Sequence, residues 1–321
     1  MESANKTRLS PEQINEIVHT ALNHSVRSAV ELADGWANNA YSIELDTGER
    51  VVLKIAPPAD VRLMRYEQHI MKAEVAALER AGELKGMPVP KVLIHDDTFS
   101  LAPAEYFMME YVEGTPYNKA KPHLSKSEQD VIEEQIGQLN RLLNAVEGTR
   151  FGTFLESGQQ KDTWREAFTL MIENVLQDGR DAGVELPVDD EVIEQEIQRR
   201  LPYLDEVQVP QLVHWDLWDG NIFVQNGQVT GLIDFERTIW GDPLIEYYFG
   251  KFAGSDAFLK GYGRPVLTKS EQQRRALYNL YLDLILVIES TYRGYTDQNH
   301  VSWTYENLKQ GVAFLTADPR L

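Results

Sequence analysis

One stretch constrains this chain more than any other: LVHWDLWDGNIFVQNGQVTGLIDFE, residues 212–236. Asp216, Asp219, Asp234 and Glu236, with His214 and Asn221, are threaded there among apolar residues. Charged and amide groups are costly to bury without partners, so the pattern needs a physical reason. NIFV and VTGLIDF read as short strands, and Asn226-Gly227 between them is a strong signal for a two-residue hairpin. Such a hairpin brings Asn221 and Asp234, at the outer ends of its arms, close together, with Asp216 in the loop before the first arm. Two oxygen-bearing groups beside a further carboxylate make a site for a hard cation with a spare base. Mg2+ suits it, because that ion takes a few protein oxygens and fills the rest of its shell with water and substrate phosphates.

The rest of the chain bounds what can surround that site. Its 321 residues are enough for about two domains and a large core. Cysteine is absent, which excludes disulfides, thiolate metal sites and a cysteine nucleophile. Fifty acidic residues against 31 basic give a net charge of −19, so nucleic acid, which needs basic patches, is not an expected partner. The acidic excess is compatible with a cationic substrate, although net charge speaks first to solubility. The opening MESANKTRLSPEQ lacks the apolar core of a secretory signal. No run of about 20 apolar residues is present to span a membrane. A cytoplasmic protein without a membrane partner is expected; the oligomeric state is left open.

Elements follow from periodicity. Residues 10–22 read as an amphipathic helix with Ser10 as N-cap before Pro11. Tyr41, Ile43 and Leu45 alternate, Thr47-Gly48 turns the chain, and Val51, Leu53 and Ile55 alternate again. Residues 65–81 read as one helix, and VPKVLIHDD and AEYFMMEYVEG as two further strands. Beyond Gly114 the pattern becomes helical. Ser125 and Glu128 form a capping-box pattern ahead of an apolar stripe through Ile132, Ile136, Leu139 and Leu143. Helices are also expected over 162–177, 189–201, 269–289 and 302–316. A boundary falls at about 111–116, where a Gly and a Pro punctuate YVEGTP.

With these pieces in order, His214-x-Asp216-x4-Asn221 followed by Asp234-Phe235-Glu236 resembles the catalytic and metal-binding motifs of the protein-kinase-like fold. The fuller string, HWDLWDGNIFV and then GLIDFERTIWGDP, resembles the aminoglycoside phosphotransferase family of small-molecule kinases. DGWANNAYSIEL is similar to the family's nucleotide loop, VVLKIAP carries a strand lysine, Lys54, and MKAEVAALERA carries a helix glutamate, Glu74. The resemblance covers roughly residues 30–116 and 210–250. It implies an α+β, bilobal protein-kinase-like fold. Residues 1–112 would be a β-rich nucleotide-binding lobe, and residues 113–321 a larger, mainly helical lobe for catalysis and acceptor binding.

The resemblance also implies roles. Asp216 would orient the acceptor hydroxyl and take its proton. Asn221 and Asp234 would hold Mg2+, and Lys54 would hold phosphate oxygens of ATP, with GTP a possible donor. Lys54 would be oriented by Glu74, with Glu67 as the other candidate. Val52, on the same strand face as Lys54, would touch adenine, whose edge would meet the backbone near Glu110 and Val112. Gly35 and Asn38 match the nucleotide loop's Gly and Asn, though a plain turn there accounts for them almost as well. His214 would brace the catalytic loop, Asp219 and Glu236 would be supporting or solvated, and Asp242 would cap a helix. Trp215 stands where a small or polar residue is usual, and Glu246 where the family has Asp.

The acceptor is bounded but not chosen. Asp242 follows Asp234 by only eight positions, too few for a segment that docks a peptide, so a small-molecule hydroxyl is expected. An aminoglycoside, macrolide, choline, fructosamine, homoserine or methylthioribose acceptor each fits such an array, and the acidic balance tilts toward a cationic one. Trp164, Trp240, Tyr247, Tyr248, Trp303, Glu166, Glu173 and Asp283 are available to line its site. The competing function is a catalytically silent kinase-like module that binds or regulates; the intact Lys54, Asp216, Asn221 and Asp234 count against it.

Overall fold

The computed structural model describes residues 7–32, 38–155, 158–264 and 266–317. Helix α1 (Pro11–Leu22) opens with a capping box, in which Ser10 N–H donates to Gln13 and Gln13 N–H donates back to the Ser10 hydroxyl. Five antiparallel strands follow: β1 (Val26–Glu31), β2 (Asn39–Leu45), β3 (Arg50–Ile55), β4 (Val92–Asp96) and β5 (Tyr106–Glu110), ordered β1-β2-β3-β5-β4. Strand periodicity divides the sheet's two faces. Val51, Leu53 and Ile55 pack with Ile14, Ile17 and Val18 of α1, whereas Val52, Phe107 and Met109 join the main core on the other face. Lys54 therefore projects from the face that looks toward the rest of the molecule. Strand β1 was not apparent in the sequence, because its residues are mostly exposed at the sheet edge and show no apolar alternation.

The expected helix over 65–81 is broken. Arg65–Glu67 is a single 3-10 turn, His69 adopts φ +62°, and α2 spans Ile70–Gly82. Tertiary bonds override helix propensity here. Glu67 caps Met64 N–H at 2.9 Å and pairs with Arg293 at 2.7 Å, and Arg65 is bound by Asp178 and Asp181. Glu67 consequently faces Arg293 and not Lys54.

After β5 the chain crosses to β6 (Thr115–Pro116), α3 (Tyr117–Ala120) and α4 (Lys126–Asn144). The short strand β7 (Gly152–Thr153) precedes α5 (Trp164–Asp181) and α6 (Asp190–Arg200). Then come β8 (Gln211–Val213), β9 (Ile222–Gln225), β10 (Gln228–Leu232) and β11 (Ile239–Gly241). The chain closes with α7 (Asp256–Tyr262), α8 (Lys269–Tyr292) and α9 (Gln298–Ala317). Two small antiparallel sheets, β10-β9-β6 and β7-β11-β8, frame the motif-bearing loops. Helices α4 and α7 approach so closely that a Cβ on Gly261 would lie 2.0 Å from the Glu134 carbonyl oxygen. Trp164, one of the residues available to line an acceptor site, is fully buried, donating its indole N–H to the Tyr278 hydroxyl at 2.7 Å. No described helix is long and apolar enough to cross a membrane.

Candidate active site

Strand β8 runs into His214, whose buried ring braces the following loop. Its Nε2–H donates to the Ile233 carbonyl at 2.9 Å, and its Nδ1 accepts the Asp216 N–H at 3.2 Å. Those partners select the Nε2–H tautomer. Trp215 then takes φ +65°, a conformation that a bulky side chain adopts only under outside constraint. The constraint is Glu246, wholly buried, whose two oxygens accept the Trp215 N–H at 2.8 Å and the Leu217 N–H at 3.0 Å. Asp216 is fixed between them. Asn221 Nδ2 donates to the Asp216 carbonyl at 2.8 Å and reaches its Oδ2 at 3.3 Å. Burial raises the Asp216 carboxyl to about 6, against the opposing charge of Arg237.

Asn226 and Gly227 both have positive φ, as a type I′ hairpin turn requires. A bulge at Thr230 shifts the β9–β10 register, after which Ile233 N–H donates to the Asn221 carbonyl at 3.0 Å. The two arms thus end with Asn221 and Asp234 one register position apart. Asp234 itself has φ +69°.

Lys54, from β3, meets both Glu74 and Asp234. Its Nζ lies 2.6 and 2.8 Å from the Glu74 oxygens and 2.6 Å from Asp234 Oδ1. Burial works against the ammonium charge, but Asp234, Glu74 and Glu236 outweigh it and raise the lysine's pKa. Burial raises Glu74 to about 7 against the pull of Lys54, whereas in Asp234 the lysine prevails over burial and the pKa falls. Glu236 is raised to about 8 by burial and by Asp234. Expected as supporting or solvated, Glu236 is a buried neighbour of the lysine: Glu74, Asp234 and Glu236 each bring an oxygen within 4.8 Å of the others.

Three carboxylates around one ammonium leave negative charge for a cation. Among the described residues, Asn221 Oδ1 and Asp234 Oδ2 accept no hydrogen bond, so each has an oxygen to spare. An all-oxygen set of an amide and carboxylates fits Mg2+.

The other residues expected at a nucleotide site differ in their surroundings. Val52 sits in the core on the cleft face of β3. The Glu110 N–H is already taken by the Lys91 carbonyl at 3.0 Å, while the Val112 backbone makes no hydrogen bond among the described residues. Val112 instead rests on β10, where a Cβ on Gly231 would lie 2.2 Å from its Cγ1. Asn38 is buried and donates to Glu236 at 2.8 Å, with its Oδ1 buried and unpartnered. Gly35 lies outside the described residues.

Of the residues named for the acceptor site, Tyr247 is near enough for the charge of Asp216 to act on it. Tyr248 is bound to Asp219, and Asp283 pairs with Lys251 at 2.7 Å. Asp242 caps only the 3-10 turn Pro243–Ile245, and also binds Arg274 and Tyr278. Two residues that matter here gave little sequence signal. Glu246 is legible only as the acid of GDPLIE, and Arg237 only as the residue after Asp-Phe-Glu.

The model of the APH phosphotransferase enzyme family matches residues 28–277. No curated protein matches in sequence. Among solved structures, the chain is similar to aminoglycoside phosphotransferase APH(4)-Ia, with a TM-score of 0.69, 16% identity, and 95% of this chain and 99% of that one covered. A variant of that protein in complex with ADP and hygromycin B gives 0.70, 16%, 94% and 98%. A protein assigned as a fructosamine-3-kinase, from Thermobifida fusca YX-ER1, gives 0.66, 20%, 92% and 98%. The streptomycin–ATP complex of APH(2")-IIa gives 0.60, 18%, 95% and 97%. At these identities the structural likenesses speak for the fold, and the family match, across most of the chain, speaks for the chemistry. The chain belongs to the APH phosphotransferase enzyme family, and its chemistry is phosphoryl transfer.

Proposed function

We propose that the protein is a Mg2+-dependent phosphotransferase that moves the γ-phosphoryl group of ATP to a hydroxyl of a small molecule, with GTP as a second possible donor. In this reading residues 1–112 form the nucleotide-binding lobe and residues 113–321 the catalytic and acceptor-binding lobe. The observation that carries it is the contact of Lys54 with Glu74 and Asp234, both at 2.6 Å, beside the loop that fixes Asp216.

Phosphoryl transfer has a loose transition state, so positioning and charge balance dominate the barrier. Lys54, aligned by Glu74, binds phosphate oxygens, and Val52 with the Val112 backbone receives the adenine. Asp234 and Asn221 hold Mg2+, which when bound offsets phosphate charge. Asp216 accepts the acceptor's hydroxyl proton as that oxygen bonds to the γ-phosphorus. The bond from phosphorus to the β–γ bridging oxygen breaks, ADP departs, and Asp216 returns its proton to solvent. Asn38, bonded to Glu236 at 2.8 Å, is tied to the carboxylates around Lys54.

A cationic acceptor such as an aminoglycoside is supported by the net charge alone; choline, fructosamine, homoserine, methylthioribose and macrolides remain open on the same grounds. The test is ADP formation from ATP with a panel of hydroxylated metabolites and antibiotics, with and without Mg2+. Acceptor-dependent ADP formation that needs Mg2+ and vanishes in Lys54→Met is expected. Acceptor-dependent turnover that persists with Mg2+ chelated would overturn the metal assignment.

A further inference from the structure

Arg237 lies beside the loop that carries Asp216, against the Trp215 ring, and has hydrogen-bonding capacity left over. Its side chain is only 10% exposed. The guanidinium carbon sits 5.3 Å from the Tyr66 ring centre and 5.7 Å from that of Trp215, the residue before Asp216. Those two rings meet edge-on at 6.2 Å, and Trp215 stacks on Tyr281 at 5.4 Å. Arginine carries five N–H donors. Among the described residues this one uses only Nη2, to Tyr66 at 3.1 Å and Glu289 at 2.9 Å, and its Nε is buried with no partner.

Charge around it is balanced without an acceptor. Arg237 and Arg293 face Glu289 and Glu67, with Arg293 2.7 Å from Glu67 and 3.5 Å from Glu289. Of the charges acting on Asp216, that of Arg237 is the largest. Any acceptor that presents a hydroxyl to Asp216 therefore comes under the field of a desolvated guanidinium. The chain's net charge of −19 carries no positions, and charge on exposed acids is screened beyond about 10 Å at 0.1 M salt. At contact distance the unused N–H donors of Arg237 act directly, although Glu289 balances its charge. A buried orphan N–H calls for an oxygen acceptor, and a guanidinium is suited to a carboxylate.

We propose, on the phosphotransferase reading above, that Arg237 selects the acceptor and that the acceptor class is a small hydroxylated carboxylic acid, not a polycation. Trp215 and Tyr66 flank the guanidinium and hold it in place for the acid group. Glu289 competes for the same guanidinium and so limits the affinity.

The experiment compares hydroxy acids, neutral polyols and aminated sugars, matched in size, for ADP formation by the wild-type protein. It is repeated on Arg237→Gln, Arg237→Lys and Glu289→Gln, with Mg2+-ATP melting shifts measured in parallel. Turnover restricted to the acids is expected. Arg237→Gln should raise the acid's KM about ten- to a hundredfold, the range for a lost charged hydrogen bond, with the ATP KM and melting shift unchanged. Arg237→Lys should recover part of the loss. Glu289→Gln should lower the acid's KM; a purely structural role for the pair would weaken both variants. Turnover of polyols or aminated sugars as good as that of the acids overturns the inference, as does turnover of no acid while the Mg2+-ATP shift persists. A change in ATP KM in Arg237→Gln without a change for the acceptor would assign the arginine to the nucleotide and also overturn it. Absence of the Mg2+-ATP shift in wild type would instead remove the phosphotransferase reading, and the acceptor inference with it.

Discussion

Glu246 accepts the backbone N–H of Trp215 at 2.8 Å, and this bond holds a tryptophan at φ +65° directly before Asp216. A left-handed conformation at a bulky residue costs on the order of 1–3 kcal/mol and persists only where the surroundings impose it. The same carboxylate binds Leu217 N–H on the other side, so the base is gripped through its two neighbours.

Glu246→Ala should therefore be damaging twice over. It leaves two buried N–H groups without an acceptor, at about 1–3 kcal/mol each, and it frees the loop that aims Asp216. Glu246→Gln keeps one accepting oxygen. It should melt nearer to wild type yet still lose kcat, with the ATP KM little changed. Urea unfolding alongside steady-state kinetics checks this. A Gln variant with full kcat would mean that Asp216 does not depend on the carboxylate.

Asp216→Asn should lower kcat by about 10²- to 10⁴-fold, the usual contribution of a positioned base. In wild type, kcat/KM should be flat above neutrality and fall as pH drops through about 6, where the Asp216 carboxyl takes up its proton. The stability effect has the opposite sign. The folded state holds that proton more tightly than the unfolded chain, in which an aspartate titrates near about 3.9. Ionising Asp216 between those two values therefore costs stability as pH rises. Asp216→Asn removes this cost and should be the more stable protein at pH 8, while nearly inactive. Melting temperatures at pH 4 and pH 8 test the sign: a variant less stable than wild type at pH 8 contradicts it.

Much of the site was legible because it is local. His214, Asp216, Asn221 and Asp234 fall within one hairpin whose turn is signalled by Asn226-Gly227, so their proximity follows from register. Lys54 was assigned a face by strand alternation. What was not legible depends on contacts distant in sequence. Glu236 reads as a surface acid until Asn38, 198 residues away, is seen bonded to it. Glu67 stands as a second candidate beside Glu74 for Lys54 if residues 65–81 form one helix. They separate only because Arg293 and Asp178 hold the preceding turn in another conformation. Arg237 acquires meaning only from Tyr66 and Glu289, which lie on either side of it in the chain. Net charge is compatible with a cationic acceptor, but composition carries no positions and so cannot say which charges face it.

Gly231 should couple the chain crossing at Val112 to the nucleotide. A Cβ there would lie 2.2 Å from Val112 Cγ1 and 3.3 Å from Val112 Cβ, so Gly231→Ala must push Val112 off the hairpin. Overpacking of this kind costs about 1–3 kcal/mol. If Val112 receives adenine, the ATP KM should rise while the acceptor KM stays close to wild type. Equal effects on both substrates, or none on ATP, would remove Val112 from the nucleotide site. Val112→Ala in the Gly231→Ala background should restore part of the stability.

Metal and base can be separated by melting. Asp234 spends one oxygen on Lys54 at 2.6 Å and keeps the other, whereas Asp216 is tied to Asn221 and to its own loop. Asp234→Ala should lose the metal-dependent part of nucleotide binding, and Asp216→Ala should keep it. A ligand at 100 times its Kd stabilises the native state by about 2.7 kcal/mol. For a chain of this size that is several degrees, at about 2–4 °C per kcal/mol. Melting curves with ATP, with and without Mg2+, should thus show a metal-dependent rise in wild type and in Asp216→Ala that shrinks sharply in Asp234→Ala. Asp234→Ala also leaves Lys54 with Glu74 alone, so its ligand-free melting temperature must be measured and each shift taken from its own baseline. Equal shifts in all three proteins would show that the carboxylate ending the hairpin does not hold the metal, and the cation would then have to be sought between Glu74 and Glu236.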